Sequence, residues 1–336
     1  MKKINLLIVV SLLWLTSCSN DSSSTNSETP TSRTIYVAGY ENGTAKIWKN
    51  GIPTVIQEGA IIYAMQKVGD DLYLAGNIGN NAVYWKNGVV TILTNSINGA
   101  NVSVATSIAV FGSDVYVAGS EANAANVRVA KYWKNGVPIS ITDGNYNASL
   151  NKIKVVGSDV YLCGYEATIP GVNGSGEVGK YWKNGVATEV NMASVTDMAI
   201  VNNDVHLVGY QNNGGAKYWK NGVIVTLPSS GGSQIARGAN SIFIDGTDIY
   251  IGGVDNNKAA YWKNGILNLV GSDSSVIRSI YVSGSDVYSG GIILNNPGSS
   301  FSEVTLQVWK NATNVPITLE SIPTYSAEIT SIFVDN

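Results

Sequence analysis

The 336-residue chain is poor in the side chains that most chemistry needs, with one histidine, His206, and two cysteines, Cys18 and Cys163. So few imidazoles and thiols cannot assemble a His or Cys metal cluster, and no Ser-His-Asp arrangement is indicated by spacing. Cys18 lies in a segment read below as an attachment point, which leaves Cys163 without a disulfide partner. Charged residues make up only 13%, at a formal net charge of −3, so there is no basic footprint for nucleic acid. An Asp-x-Asp-x-Asp-Gly loop for calcium is also missing, although scattered carboxylates can still hold that ion. No cofactor is expected.

At the amino terminus, Met1-Lys2-Lys3 precedes a run from Ile4 to Leu15 that is apolar apart from Asn5 and Ser11. A positive n-region before an apolar run of this length is a secretory signal, too short to span a bilayer as a helix, so residues 1–17 are set apart from the fold. The Leu15-Thr16-Ser17-Cys18 that follows resembles the lipobox of bacterial lipoproteins. That resemblance implies cleavage before Cys18, lipid on its thiol, and a membrane as partner through the lipid. Ser19, where Asp would retain a lipoprotein at the inner membrane, resembles the outer-membrane sorting pattern, on the periplasmic or cell-surface side. Loss of Lys2 and Lys3 leaves 19 basic against 24 acidic residues, a net charge of −5. Residues 18–33 form the linker: SNDSSSTNSETPTSR, residues 19–33, contains no apolar side chain and reads as a flexible tether.

Residues 34–336 repeat. Trp-Lys-Asn recurs at Trp48, Trp85, Trp133, Trp182, Trp219, Trp262 and Trp309, 37 to 49 residues apart. Each unit holds four short runs of Val, Ile, Tyr and Trp bounded by Gly, Asn, Asp or Ser, the pattern of strands joined by tight turns. Asn-Gly follows the third run in six copies, which suits a two-residue type I′ hairpin; the seventh copy, Asn311-Ala312, predicts a looser turn. Seven four-stranded antiparallel units arranged radially make an all-β, seven-bladed β-propeller. The layout resembles kelch-type and WD-type propellers, but the aromatic precedes the turn and no Trp-Asp dipeptide occurs, so neither subfamily is assigned. The first unit begins at its second strand, Thr34 to Gly39, and the chain ends on a surplus first strand, Ser331 to Asp335. The carboxy-terminal strand is therefore expected to join the first blade and close the ring, removing two sheet edges.

Alternating strand direction places the regular turns on one face and the diverse loops on the other. The regular face carries the Lys-Asn turns and Asp71, Asp114, Asp159, Asp204, Asp248 and Asp286, expected to be loosely paired charges. The tryptophans are expected between blades, His206 in a slot otherwise held by tyrosine, and Cys163 in a small packed slot. Function is expected on the variable face, because diverse loops on a rigid frame are where binding residues sit. Two residues beyond the glycine of the second strand stand Glu41, Glu121, Glu166, Gln211 and Asp255 in five blades and Ile78 and Ile293 in the other two, with Tyr165 among the tyrosines beside them. They form either an incomplete polar ring for a cation, basic peptide or glycan, or simply solvated loop starts. The expected activity is binding or scaffolding of protein or glycan by a monomer, with no catalysis; a polysaccharide hydrolase or lyase using loop carboxylates is the alternative. A scaffold like the eight-bladed lipoprotein propeller fits less well, because blade count and motif differ.

Overall fold

The strands form where β-branched and aromatic residues alternate, and they stop where Asn or Gly takes up positive φ. All seven turn asparagines, Asn50, Asn87, Asn135, Asn184, Asn221, Asn264 and Asn311, have φ between 44° and 53°. The glycine after each of the first six is also positive, which makes the expected type I′ hairpins. The computed structural model describes residues 33–95, 102–169, 176–211, 215–231, 238–295, 303–311, 313–317, 319 and 326–335. The signal, Cys18, most of the linker and Ala312 lie outside these residues.

Seven four-stranded antiparallel sheets follow, numbered here as blades with strand one innermost. Blade 1 is assembled from both ends of the folded chain: Ala327–Asp335, Thr34–Glu41, Thr44–Lys49 and Ile52–Glu58. Thr34 pairs with Asp335 and Glu41 with Ala327, so the expected closure is present along the whole length of both strands. The other innermost strands are Ala60–Val68, Ser103–Phe111, Ala148–Val156, Ser194–Val201, Gly238–Asp245 and Ser275–Ser283. Each touches the innermost strand of the next blade, and Ser275–Ser283 touches Ala327–Asp335, which completes the ring.

The core is divided into seven interblade layers. Trp182 of blade 4 packs with Tyr116, Ala118 and Ala130 of blade 3; Trp48 of blade 1 packs with Tyr288, Leu306 and Val308 of blade 7. All seven repeat tryptophans are at most 6% exposed. Burial of one such ring is worth roughly 4 to 6 kcal/mol as an upper estimate, which accounts for the recurrence without a ligand. Cys163 joins the layer between blades 4 and 5.

A feature absent from the expected fold recurs in every innermost strand. The register shifts by one residue at Tyr63, Thr106, Asn151, Thr196, Asn240, Arg278 and Thr330, so each blade carries a β-bulge there. Opposite each bulge stands the conformationally small residue of strand two: Gly76, Gly119, Gly164, Gly209, Gly253, Gly291 and Gly39. A Cβ on any of them would lie 1.8 to 2.1 Å from a backbone carbonyl oxygen of strand one. A bulge re-aims side chains, and here the bulge residue and the one after it, such as Tyr63 and Ala64 or Asn151 and Lys152, both line the axial cavity in every blade.

Candidate functional site

The regular face is a repeated clamp. In blades 2 to 7 the strand-two aspartate accepts from the facing lysine at 2.7 to 2.9 Å. The turn asparagine donates to its other oxygen at 2.6 to 2.8 Å. The asparagine Oδ1 accepts from the backbone amide after the aspartate, as with Val115 N and Asn135 at 2.9 Å. Asn311 makes the same two bonds at 2.7 and 2.6 Å, so its half of the turn has the common geometry. Hydrogen bonds from lysine, then asparagine, hold Asp71, Asp114, Asp159, Asp204 and Asp286 below the ordinary carboxylate pKa. For Asp248, Asn264 acts first and Lys263 second. His206 fills its tyrosine slot, with Nδ1 2.7 Å from the Tyr218 hydroxyl, and burial keeps its pKa low.

On the variable face, strand two runs past the glycine, so Glu41, Glu121, Glu166 and Asp255 lie within strands and not at loop starts. Glu41 is 2% and Asp255 0% exposed. Glu41 accepts from Lys46, Glu121 from Lys131 and Glu166 from Lys180, each lysine on strand three of the same blade. Asp255 accepts from the hydroxyls of Ser229 and Ser230 and from the amide of Ser230 at 2.9 Å. Gln211, just past its strand, reaches Asn191 at 3.4 Å. The fold therefore seats these side chains separately, blade by blade, and none of them lines the axial cavity.

Tyr165 is placed differently. With Tyr63, Tyr210, Thr106, Asn151, Ser194 and Thr196 it lines a cavity of about 380 Å³ where strand one begins and strand two ends, at the variable-face mouth of the ring. Burial raises the pKa of Tyr63 and Tyr165. Tyr40, beside Glu328 and Tyr63, is pushed up to about 12 by burial and then by the Glu328 charge. The bulge residues also fasten neighbouring blades. Thr106 Oγ1 donates to Leu150 O at 2.5 Å, Asn151 Nδ2 to Val195 O at 2.7 Å, Thr196 Oγ1 to Ala239 O at 2.6 Å and Asn240 Nδ2 to Ile277 O at 2.7 Å.

Below the mouth runs an axial cavity of about 460 Å³ lined by innermost strands of all seven blades. Its charges are mostly matched: Lys152 meets Asp197 at 3.1 Å, Lys67 meets Asp335 at 2.8 Å, and Arg278 meets Glu328. This lining sits on strand one and not on the diverse loops, so loop diversity does not reveal it. The signal was present, since Asn151, Lys152, Asn240 and Arg278 break the small or apolar pattern of strand one. Without the bulge, however, nothing assigns two adjacent residues to the same side. Among the described residues no group of three His, Cys, Asp or Glu stands close enough to hold a metal. No described helix is long and apolar enough to cross a membrane.

No protein-family model matches the chain, and no curated sequence is significantly similar to it. Solved structures are similar at the level of the fold. The acylaminoacyl peptidase of Pyrococcus horikoshii is 11% identical over 85% of this chain and 50% of its own, with a TM-score of 0.49. The propeller domain of the Trilobed protease of Pyrococcus furiosus is 10% identical over 86% and 96%, at 0.44. TolB of Acinetobacter baumannii is 13% identical over 72% and 61%, at 0.40. The chain thus spans between half and two thirds of the peptidase and TolB structures.

Proposed function

We propose that the chain is a non-catalytic binding protein of the bacterial cell envelope, anchored by lipid at Cys18, that takes a glycan at the variable-face mouth of its ring. The carrying observation is the composition of that mouth: the rings of Tyr63, Tyr165 and Tyr210 beside the neutral polar groups of Thr106, Asn151, Ser194 and Thr196. Tyrosine offers an apolar face and a polar tip, and a concave site with a few placed polar groups is how small ligands are oriented. The donors of Thr106 and Thr196 are already committed to neighbouring carbonyls, and those of Asn151 to the Val195 carbonyl and the Ser194 hydroxyl oxygen. Their oxygens remain as acceptors, which suits a ligand rich in hydroxyl donors. The lipobox-like segment supports the anchor.

A glycan array probed with the purified chain tests this reading. A hit is expected whose affinity falls at least about ten-fold, or 1.4 kcal/mol, in the double variant Tyr165→Ala, Tyr210→Ala at an unchanged melting temperature. Glu121→Ala with Glu166→Ala should leave that affinity intact. Loss in the glutamate variant alone would move recognition to the carboxylate positions, and a protein partner captured with no glycan hit would replace the glycan.

A further inference from the structure

Two residues beyond each bulge residue's neighbour, strand one contributes one side chain per blade at a common depth, marked by its pairing with the tyrosine slot of strand two. At this level stand Gln66, Ala109, Lys154, Ala199, Phe243 and Tyr281, opposite Tyr73, Tyr116, Tyr161, His206, Tyr250 and Tyr288, with Phe333 opposite Tyr36. The seven are not equivalent. Blades 6, 7 and 1 place three rings in succession: Phe243 and Tyr281 have centroids 4.7 Å apart, and Tyr281 and Phe333 5.1 Å. All three line the axial cavity and are only half-buried, so they present an aromatic wall to its lumen.

Across the ring, blade 4 supplies Lys154, which also lines the cavity. Its neighbours at the same depth, Ala109 and Ala199, are the smallest residues of the layer, so the lumen has room beside it. The other cations of the lining are matched by Asp197, Asp335 and Glu328. Lys154 meets no carboxylate within ion-pair distance among the described residues. Its side chain is exposed to the lumen; the protein packed around it, and then the like charge of Lys152, push its pKa down, against the opposing pull of the Asp197 charge.

We propose that the axial cavity is a second binding site, for a small aromatic anion whose ring lies on Phe243, Tyr281 and Phe333 and whose carboxylate or sulfonate meets Lys154. Gln66 lends a further donor: its Oε1 accepts from Val110 N at 3.0 Å, which leaves the Nε2 hydrogens for the anion. A cavity of this size falls within the range of small-molecule sites. An aliphatic anion would leave the aromatic wall wet, and a neutral aromatic would leave Lys154 unmatched, so both features select together. This site does not depend on glycan recognition at the mouth.

Calorimetric titration of the purified chain with phenylacetate, indole-3-acetate and naphthalene-2-sulfonate tests the proposal, with acetate and 2-phenylethanol as probes lacking one half. At least one aromatic anion is expected to bind, with acetate and 2-phenylethanol at least ten-fold weaker. Lys154→Met and Phe243→Ala should each lower that affinity ten-fold or more, while Tyr165→Ala, at the mouth, leaves it unchanged. Melting curves confirm folding, and Lys154→Gln serves as a second, polar replacement. No binding of any aromatic anion at millimolar concentration would overturn the proposal, as would binding indifferent to both Lys154 substitutions or matched by acetate. A glycan hit lost in the tyrosine double variant alongside a failed titration would sink this site and spare the mouth.

Discussion

Gly119 shows how one atom decides a local structure. Its missing Cβ admits the carbonyl of Val104, which a methyl group would approach to 1.8 Å, and that oxygen belongs to the bulged strand of the ring. Neither side can yield, because Thr106 of the same bulge is bonded to blade 4. Gly119→Ala is therefore expected to cost about 3 kcal/mol or more, read as a shift in the urea midpoint. Gly136, in the hairpin of the same blade, has φ of 83° but nothing within 4 Å of its Cβ position. Gly136→Ala meets only the backbone strain of that conformation, about 1 to 2 kcal/mol. Both glycines are visible in the sequence as repeated letters. Only the positions of the neighbouring atoms separate the one that cannot change from the one that can.

At the scale of the element, the hairpin clamp of Asp, Lys and Asn is the unit that repeats, and it makes the protein sensitive to acid. Six aspartates have native pKa values held below the ordinary 3.8. Depressed carboxylates stabilise the fold fully above the unfolded pKa, and that contribution is lost as pH falls through the native values. His206, depressed from 6.5, adds one earlier loss of the same sign, since the folded chain resists its protonation. In a His206→Tyr background, urea midpoints should stay level from pH 7 to about 5 and fall steeply below about pH 4. High salt should shrink the lysine part and keep the asparagine bonds. A midpoint that holds level down to pH 2 would show that the clamps add nothing. The clamp residues, legible from their recurrence, were expected to be loose surface pairs; the structure adds the asparagine that ties each one to the backbone.

The whole molecule is a ring, and a ring depends on its last piece. Ala327–Asp335 pairs with Thr34–Glu41 over the whole length of both and supplies Ile329, Ile332 and Val334 to the layer between blades 7 and 1. Its removal exposes that layer and opens the edge of Thr34–Glu41. Losing three buried aliphatic residues at about 2 to 5 kcal/mol each rivals the 5 to 15 kcal/mol that holds a typical domain together. Deletion of residues 327–336 is thus expected to abolish the cooperative thermal transition. A truncated chain that melts like the parent would mean that the ring stands without its closure.

Blade number, strand order, closure and hairpin type were all legible in the sequence, because each follows from local alternation and from letters that recur seven times. The candidate site was only partly legible. The face on which Tyr165 lies followed from strand direction, but Glu41, Glu121, Glu166 and Asp255 look like an exposed ring until their lysine and serine partners are placed beside them. The axial lining was hidden for a different reason. A bulge is a shift in pairing between two strands and leaves no mark on the sequence of one, and the cavity that Lys154 lines together with Phe243, Tyr281 and Phe333 joins blades that lie far apart along the chain. What repeats was fixed by local chemistry; what converges on the axis was decided by the closing of the ring.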